Sequence, residues 1–328
     1  MAGPRLSALA WCLFGLFLLV AGAELIVRAG TRLAALVGIP PILIGLTVVA
    51  VGTSTPELAV GINAASQGNG SLAVGNIAGA NSLNILFILG LSALLMPLSL
   101  EMRTLRFDLP VMTAAALALL AMAWDGVLTR MEGLVLVAAG MAYTVAVIHW
   151  ARRESRAVIA EFSKEYPAPP ADGERRKPWP SVLTLLAGIA IVVVGAELLV
   201  DGAVALARMM GVSDAFIGLT VVAIGTCSPE LVTTVVSTLR QERDIAIGNL
   251  LGSSVYNILF ILGAIAIVPS AGIPVEPALV RIDIPVMGAA AIACVPIFLS
   301  GRRVTRAEGA ALVASYLAYL TCLVVSRG

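Results

Sequence analysis

Two halves of this sequence repeat each other, and the repeat limits the possible folds more than any other feature. Gly22-Ala23-Glu24-Leu25 returns as Gly195-Ala196-Glu197-Leu198, Ile44 to Ala50 returns as Ile217 to Ala223, and Asn84 to Gly90 returns as Asn257 to Gly263, all at an ungapped offset of 173. Further on, Arg106-Phe-Asp-Leu-Pro-Val-Met112 matches Arg281-Ile-Asp-Ile-Pro-Val-Met287 at 175, and Thr129-Arg-Met-Glu-Gly133 matches Thr305-Arg-Ala-Glu-Gly309 at 176. A repeat of this length has to be one structural unit used twice.

The unit is a set of membrane spans. Charged residues make up 12% of the chain and hydrophobic ones 59%, with a mean hydropathy of +0.98; soluble domains carry about twice that charge. Apolar runs long enough to cross a bilayer fall at 7–28, 38–66, 71–98, 109–124, 131–150, 181–201, 212–239, 245–268, 284–300 and 307–326. The expected fold is therefore an all-α integral membrane protein of ten transmembrane helices. Each half, 1–150 and 179–328, holds five spans, and an odd number turns the second half upside down relative to the first. Two inverted five-helix repeats are the architecture of secondary transporters, with a binding site near the midplane between them. The 151–178 linker is too short for a regulatory domain.

Basic residues set the orientation. With the N-terminus outside, 16 of the 21 Lys and Arg residues face the cytoplasm, seven of them in the linker. Both termini are expected outside a cell (inner) membrane that the chain crosses many times, with the linker inside. Residues 1–30 could pass for a cleaved signal peptide, but Gly-Ala-Glu-Leu recurs in mid-chain, where no signal can stand. The cysteines, Cys12, Cys227, Cys294 and Cys322, sit in apolar spans and carry no pairing pattern.

A carboxylate inside hydrocarbon costs at least about 2.5 kcal/mol, so it marks function by default. Glu57 is the one charge within 38–66, and Glu230 the one deep charge within 212–239. They are repeat equivalents, and the inverted two-fold brings them face to face with nothing basic at that depth. Each follows a proline, in Gly52-Thr53-Ser54-Thr55-Pro56-Glu57 and Gly225-Thr226-Cys227-Ser228-Pro229-Glu230. Proline cannot bond the carbonyl four residues back and opens that turn, which predicts free carbonyls at Gly52, Thr53, Gly225 and Thr226. The following motifs, Gly75 to Asn84 and Gly248 to Asn257, would bring the Asn84 and Asn257 amide oxygens beside the carboxylates. Gly79 and Gly252 there would permit close helix approach. Oxygen-only ligands suit hard cations. Two glutamates and two threonine carbonyls offer six oxygens, within the 6–8 or so that calcium takes, and sodium accepts smaller sets of the same kind.

The stretches 45–90 and 218–263 resemble the paired alpha repeats of sodium/calcium exchangers, with their G-[ST]-S-x-P-E and G-N-x-x-G-S-N-x-x-N signatures, and the short linker is similar to that of compact prokaryotic members. The resemblance implies a secondary active antiporter exchanging sodium for calcium by alternating access. In it Glu57, Glu230, Thr53 and Thr226 would bind calcium, and Asn84 and Asn257 would lie at the centre. The Ala50 and Ala223 carbonyls, with nearby hydroxyls, would hold sodium. It also implies that the first and sixth helices slide across the core. Glu24, with Arg28 one turn on, and Glu197, with Asp201, lie at the ends of those helices and read as boundary residues and not ligands. Two positions depart from the pattern: Ala80 and Cys227 stand where it has serine. The two-fold maps Ser54 onto Cys227 and Ser253 onto Ala80, so if each flanking sodium site combines hydroxyls from both halves, both losses fall on the same flank. Asn257 stands where potassium-dependent relatives carry Asp.

Calcium and sodium are thus expected as transported substrates, with the bilayer as setting, no cofactor, no nucleic acid and no obligate protein partner. Calcium/proton or other cation exchange on the same fold is the alternative. An intramembrane enzyme finds no support, because the one histidine, His149, ends a span and no His-Glu-x-x-His helix is present. A channel is disfavoured, since a closed carboxylate pair suits binding and release better than permeation.

Overall fold

The computed structural model describes residues 2–37, 39–100, 104–165, 178–211 and 223–327. Its helical segments are α1 (Ala2–Val37), α2 (Pro41–Ser66), α3 (Gly70–Leu95), α4 (Thr104–Asp125), α5 (Arg130–Glu165), α6 (Trp179–Met209), α7 (223–239), α8 (Arg243–Ile267), α9 (Leu279–Leu299) and α10 (Arg306–Arg327). Among the described residues nine of these are long and apolar enough to cross a membrane. The start of the seventh expected span, 212–222, and linker residues 166–177 lie outside the described residues.

Several helices outrun the expected spans. Helix α1 has 36 residues, because no breaker follows the 7–28 run until Pro40-Pro41. Helix α5 continues through 151–165, so the linker opens as helix; its Arg, Glu and Ala residues are good helix formers. The repeated Thr-x-x-Glu sequences prove to be capping boxes. The Thr129 amide donates to Glu132 Oε2 at 2.8 Å and the Glu132 amide to Thr129 Oγ1 at 3.3 Å; Thr305 and Glu308 repeat both distances.

Beside the helices, the described residues include four two-residue strands: β1 (Leu98–Ser99), β2 (Val127–Leu128), β3 (Ile273–Pro274) and β4 (Arg303–Val304). β1 pairs antiparallel with β4, and β2 with β3. By the sequence offsets β1 corresponds to β3 and β2 to β4, so exchanging the halves maps one pair onto the other.

The equivalent helices α1 and α6 pack along a glycine seam. A Cβ on Gly15 would stand 2.6 Å from the Gly195 carbonyl, one on Gly22 2.8 Å from the Gly188 carbonyl, and one on Gly202 2.7 Å from the Ala8 carbonyl. As α1 advances through 8, 15 and 22, its partner retreats through 202, 195 and 188, so the two run antiparallel. The seven-residue step keeps the seam facing its partner. Each half's last helix packs on the other half's third: Gly90 meets Gly309, and Gly133 meets Gly263.

Helices α3 and α8 form the centre, with 78% and 83% of their apolar windows buried, against 17% for α10 and 33% for α1. The outer face of α1 exposes Trp11, Leu13, Phe14, Phe17 and Val20. Such a surface suits lipid and not water.

Candidate functional site

The prolines break α2 and α7 where expected. In α2 a π-helical stretch, Gly45–Val49, leads into a short helix that stops at Thr53, with Ser54 at φ −82°, ψ 11°. In α7 the equivalent residue, Cys227, has φ −86°, ψ 4°. Regular bonding resumes beyond, with the Leu58 amide donating to the Ser54 carbonyl and that of Leu231 to the Cys227 carbonyl. The expectation of free carbonyls fails at two positions. The Gly52 carbonyl accepts the Thr55 hydroxyl at 2.8 Å, and the Gly225 carbonyl accepts the Ser228 hydroxyl at 2.6 Å. A hydroxyl one turn on replaces the amide that proline lacks.

Glu57 and Glu230 begin the helices after these breaks, and both are fully buried. Each is held from the opposite half. The Ser54 hydroxyl donates to Glu230 Oε1 at 2.9 Å, and the Cys227 thiol donates to Glu57 Oε1 at 3.4 Å. Ser253 adds a second hydroxyl on Glu230 Oε1 at 3.4 Å, which also lies 3.5 Å from the Ala50 carbonyl. Oε2 of both glutamates is buried with no hydrogen-bond partner among the described residues, and no Lys or Arg is buried there. Two buried carboxylates, each with an oxygen that meets no donor among the described residues, could hold a cation.

Asn84 and Asn257 lie in π-helical stretches, Leu83–Ile88 and Asn257–Leu262, a deviation common at functional sites. Asn257 Nδ2 donates to Asn81 Oδ1 at 3.1 Å, leaving its own Oδ1 unpaired. Asn84 has neither side-chain atom paired among the described residues. The halves differ here because Ser254 stands opposite Asn84 where Asn81 stands opposite Asn257, and the Ser254 hydroxyl donates to the Leu250 carbonyl. Thr226 Oγ1 lies 4.0 Å from Cys227 Sγ. Ala223 opens the described part of α7, and the stretch before it lies outside the described residues. Gly252 does meet its neighbour closely, with a Cβ there 2.7 Å from the Leu46 carbonyl. The equivalent partner of Gly79, Leu219, lies outside the described residues.

Sequence reasoning passed over three buried polar groups. Asn249 accepts the Thr53 hydroxyl at 3.2 Å and donates to Thr234 Oγ1 at 3.1 Å, bridging α2 and α7. Its place in the Gly-Asn repeat was the available signal. Asp108 and Asp283, assigned to loops by the expected span limits, are buried within α4 and α9, where they accept the hydroxyls of Tyr143 at 3.1 Å and Tyr319 at 2.6 Å. Glu24 pairs with Arg28 at 2.5 Å and with Arg240 at 2.6 Å, while Glu197 is exposed.

A family model for the sodium/calcium exchanger protein matches residues 7–149 and 180–325, the two repeats without the linker. CaxA of Alkalimonas amylolytica is 35% identical over 319 residues, covering 96% of this chain and 98% of its own. The sodium/calcium exchanger MaX1 of Methanosarcina acetivorans is 30% identical over 340 residues, covering 95% and 97%. The solved sodium-calcium exchanger NCX_Mj, soaked with sodium and strontium, superposes with a TM-score of 0.82 at 25% identity, covering 96% of this chain and 98% of its own. The chain belongs to the sodium/calcium exchanger family of multi-pass membrane antiporters.

Proposed function

We propose that this protein exchanges sodium for calcium across the cell (inner) membrane by alternating access at a midplane site. Ten helices form it as two inverted five-helix repeats, 1–150 and 179–328, with both termini outside and the 151–178 linker in the cytoplasm. Glu57, Glu230 and the Thr53 and Thr226 carbonyls bind calcium, with Asn84 and Asn257 between them. The Ala50 and Ala223 carbonyls, with Ser54 and Ser253, serve sodium.

One observation carries this reading. The glutamates are buried and held by side chains of the opposite half, yet among the described residues each keeps an oxygen with no partner and no buried basic residue to answer it. Removing one partner of a buried charge set is strongly destabilising, so two such oxygens need a cation. Two carboxylates match a divalent ion in charge, and the ligands are oxygens of the kind calcium takes.

The test is calcium uptake into proteoliposomes loaded with sodium. Uptake is expected with an outward sodium gradient and should collapse when sodium is equal on both sides. Uptake driven by a proton gradient, and indifferent to sodium, would replace this reading with calcium/proton exchange.

A further inference from the structure

The two flanks of the carboxylate pair are built from equivalent positions but not from equivalent chemistry. On one flank the Ser54 and Ser253 hydroxyls converge on Glu230 Oε1, with the Ala50 carbonyl 3.5 Å from Ser253. Behind them the Thr53 hydroxyl is anchored by Asn249, and Asn249 by the Thr234 hydroxyl. The mirror flank is built on Glu57. At an offset of 173, Cys227 replaces Ser54, Ala80 replaces Ser253, and Gly61 replaces Thr234. The supporting structure shows the same loss: Asn76, the counterpart of Asn249, has its Nδ2 buried with no partner among the described residues. The space a hydroxyl would need at residue 61 is filled by Ile265, whose Cδ1 would lie 2.1 Å from a Cβ there. Helix α3, carrying Ala80, packs on the start of α7 as α8, carrying Ser253, packs on α2. The methyl of Ala80 therefore stands where the mirror flank needs an oxygen.

Resting on sodium/calcium exchange as proposed above, we infer that the flanks hold sodium unequally: firmly at Glu230, Ser54, Ser253 and the Ala50 carbonyl, and weakly at Glu57, Cys227 and Ala80. Sodium prefers hard oxygen, and a thiol sulfur belongs with softer metals. The mirror flank has lost two hydroxyl oxygens and gained one sulfur. With the termini outside, the weak flank is the outer one, because Ala50 precedes Ser54 on a helix running outward. Exchange by this protein then needs more sodium than a site with two oxygen-rich flanks, and responds to it less steeply.

The experiment compares the sodium dependence of calcium exchange in proteoliposomes for four proteins. These are wild type, Cys227→Ser, the double variant Cys227→Ser with Ala80→Ser, and Ser54→Cys with Ser253→Ala, which copies the poor flank onto the rich one. The double variant should need roughly two- to tenfold less sodium for half-activation, the worth of one well-placed polar contact, with a steeper curve. Cys227→Ser should lie between it and wild type, and the copied flank should shift the curve the other way and flatten it. Cys227→Ser is close to isosteric, so it carries the test alone should the double variant not elute as a single species. Superimposable curves for wild type and the reverted proteins overturn the inequality while leaving exchange intact. Wild type without any sodium-coupled flux overturns the exchange reading, and this inference with it.

Discussion

Glu57→Gln or Glu230→Gln removes one of the two charges that meet a divalent ion but keeps size and polarity. Each single variant is expected to reduce calcium uptake to background while eluting as a folded protein, because a neutral amide relieves the burial cost of a charge. Near-normal uptake in both would refute the site. Asn249 separates structure from symmetry at the same scale. It bridges Thr53 and Thr234, whereas its counterpart Asn76 has an unpaired amide nitrogen. Asn249→Ala removes a partner from two buried hydroxyls, of which Thr53 keeps the Ala50 carbonyl at 3.3 Å, and should cost about 1–3 kcal/mol, seen as a lower melting temperature in detergent. Asn76→Ala should cost less, and equal losses would mean the bridge is not structural. Of these residues the sequence marks the glutamates, since a lone charge in a long apolar run is visible by eye. It does not mark Asn249, because any one asparagine in a span is as well explained by helix packing.

At the scale of elements, the α1–α6 seam decides how the outer pair sits on the core. Backbone stands within 2.9 Å of a Cβ placed on Gly15, Gly22 or Gly195, a separation that forces the helices apart. If α1 and α6 move as one unit across the core, Gly22→Ala and Gly195→Ala should slow calcium turnover and leave its half-saturating concentration unchanged, since no ligand is touched. Gly288→Ala is the control: nothing lies within 4 Å of its Cβ among the described residues. A raised half-saturating calcium concentration in the seam variants would mean that the seam shapes the site itself. The tie between Glu24 and Arg240 joins α1 to the end of α7, and its counterpart would join Glu197 to Gln67, which cannot form an ion pair. The Glu24–Arg240 pair therefore has no charged counterpart between Glu197 and Gln67.

For the whole molecule the governing quantity is charge. Two glutamates balance one calcium ion, so three sodium ions in its place leave one net positive charge on the loaded protein. At saturating sodium the cycle should be driven by voltage at about 2.3 kcal/mol per charge per 100 mV. Calcium uptake should rise or fall as a potassium ionophore sets the potential in either direction. Rates indifferent to the potential would exclude that stoichiometry. Asn257 adds that external potassium should not be needed as a co-substrate.

The sequence by itself determined the membrane setting, the repeat and the two proline-broken turns with their glutamates. All of these follow from composition and local stereochemistry: an apolar run has to lie in lipid, and proline cannot donate its bond wherever the chain goes. The tertiary structure alone decided which hydroxyl meets which carboxylate. Ser54 reaches Glu230 and Cys227 reaches Glu57 across 176 and 170 residues of chain. It also decided that Asp108 and Asp283 lie inside helices, and that π-helical turns place Asn84 and Asn257. Such pairings depend on how two helices rotate against each other, a quantity set by contacts over the whole core and carried by no single stretch of sequence.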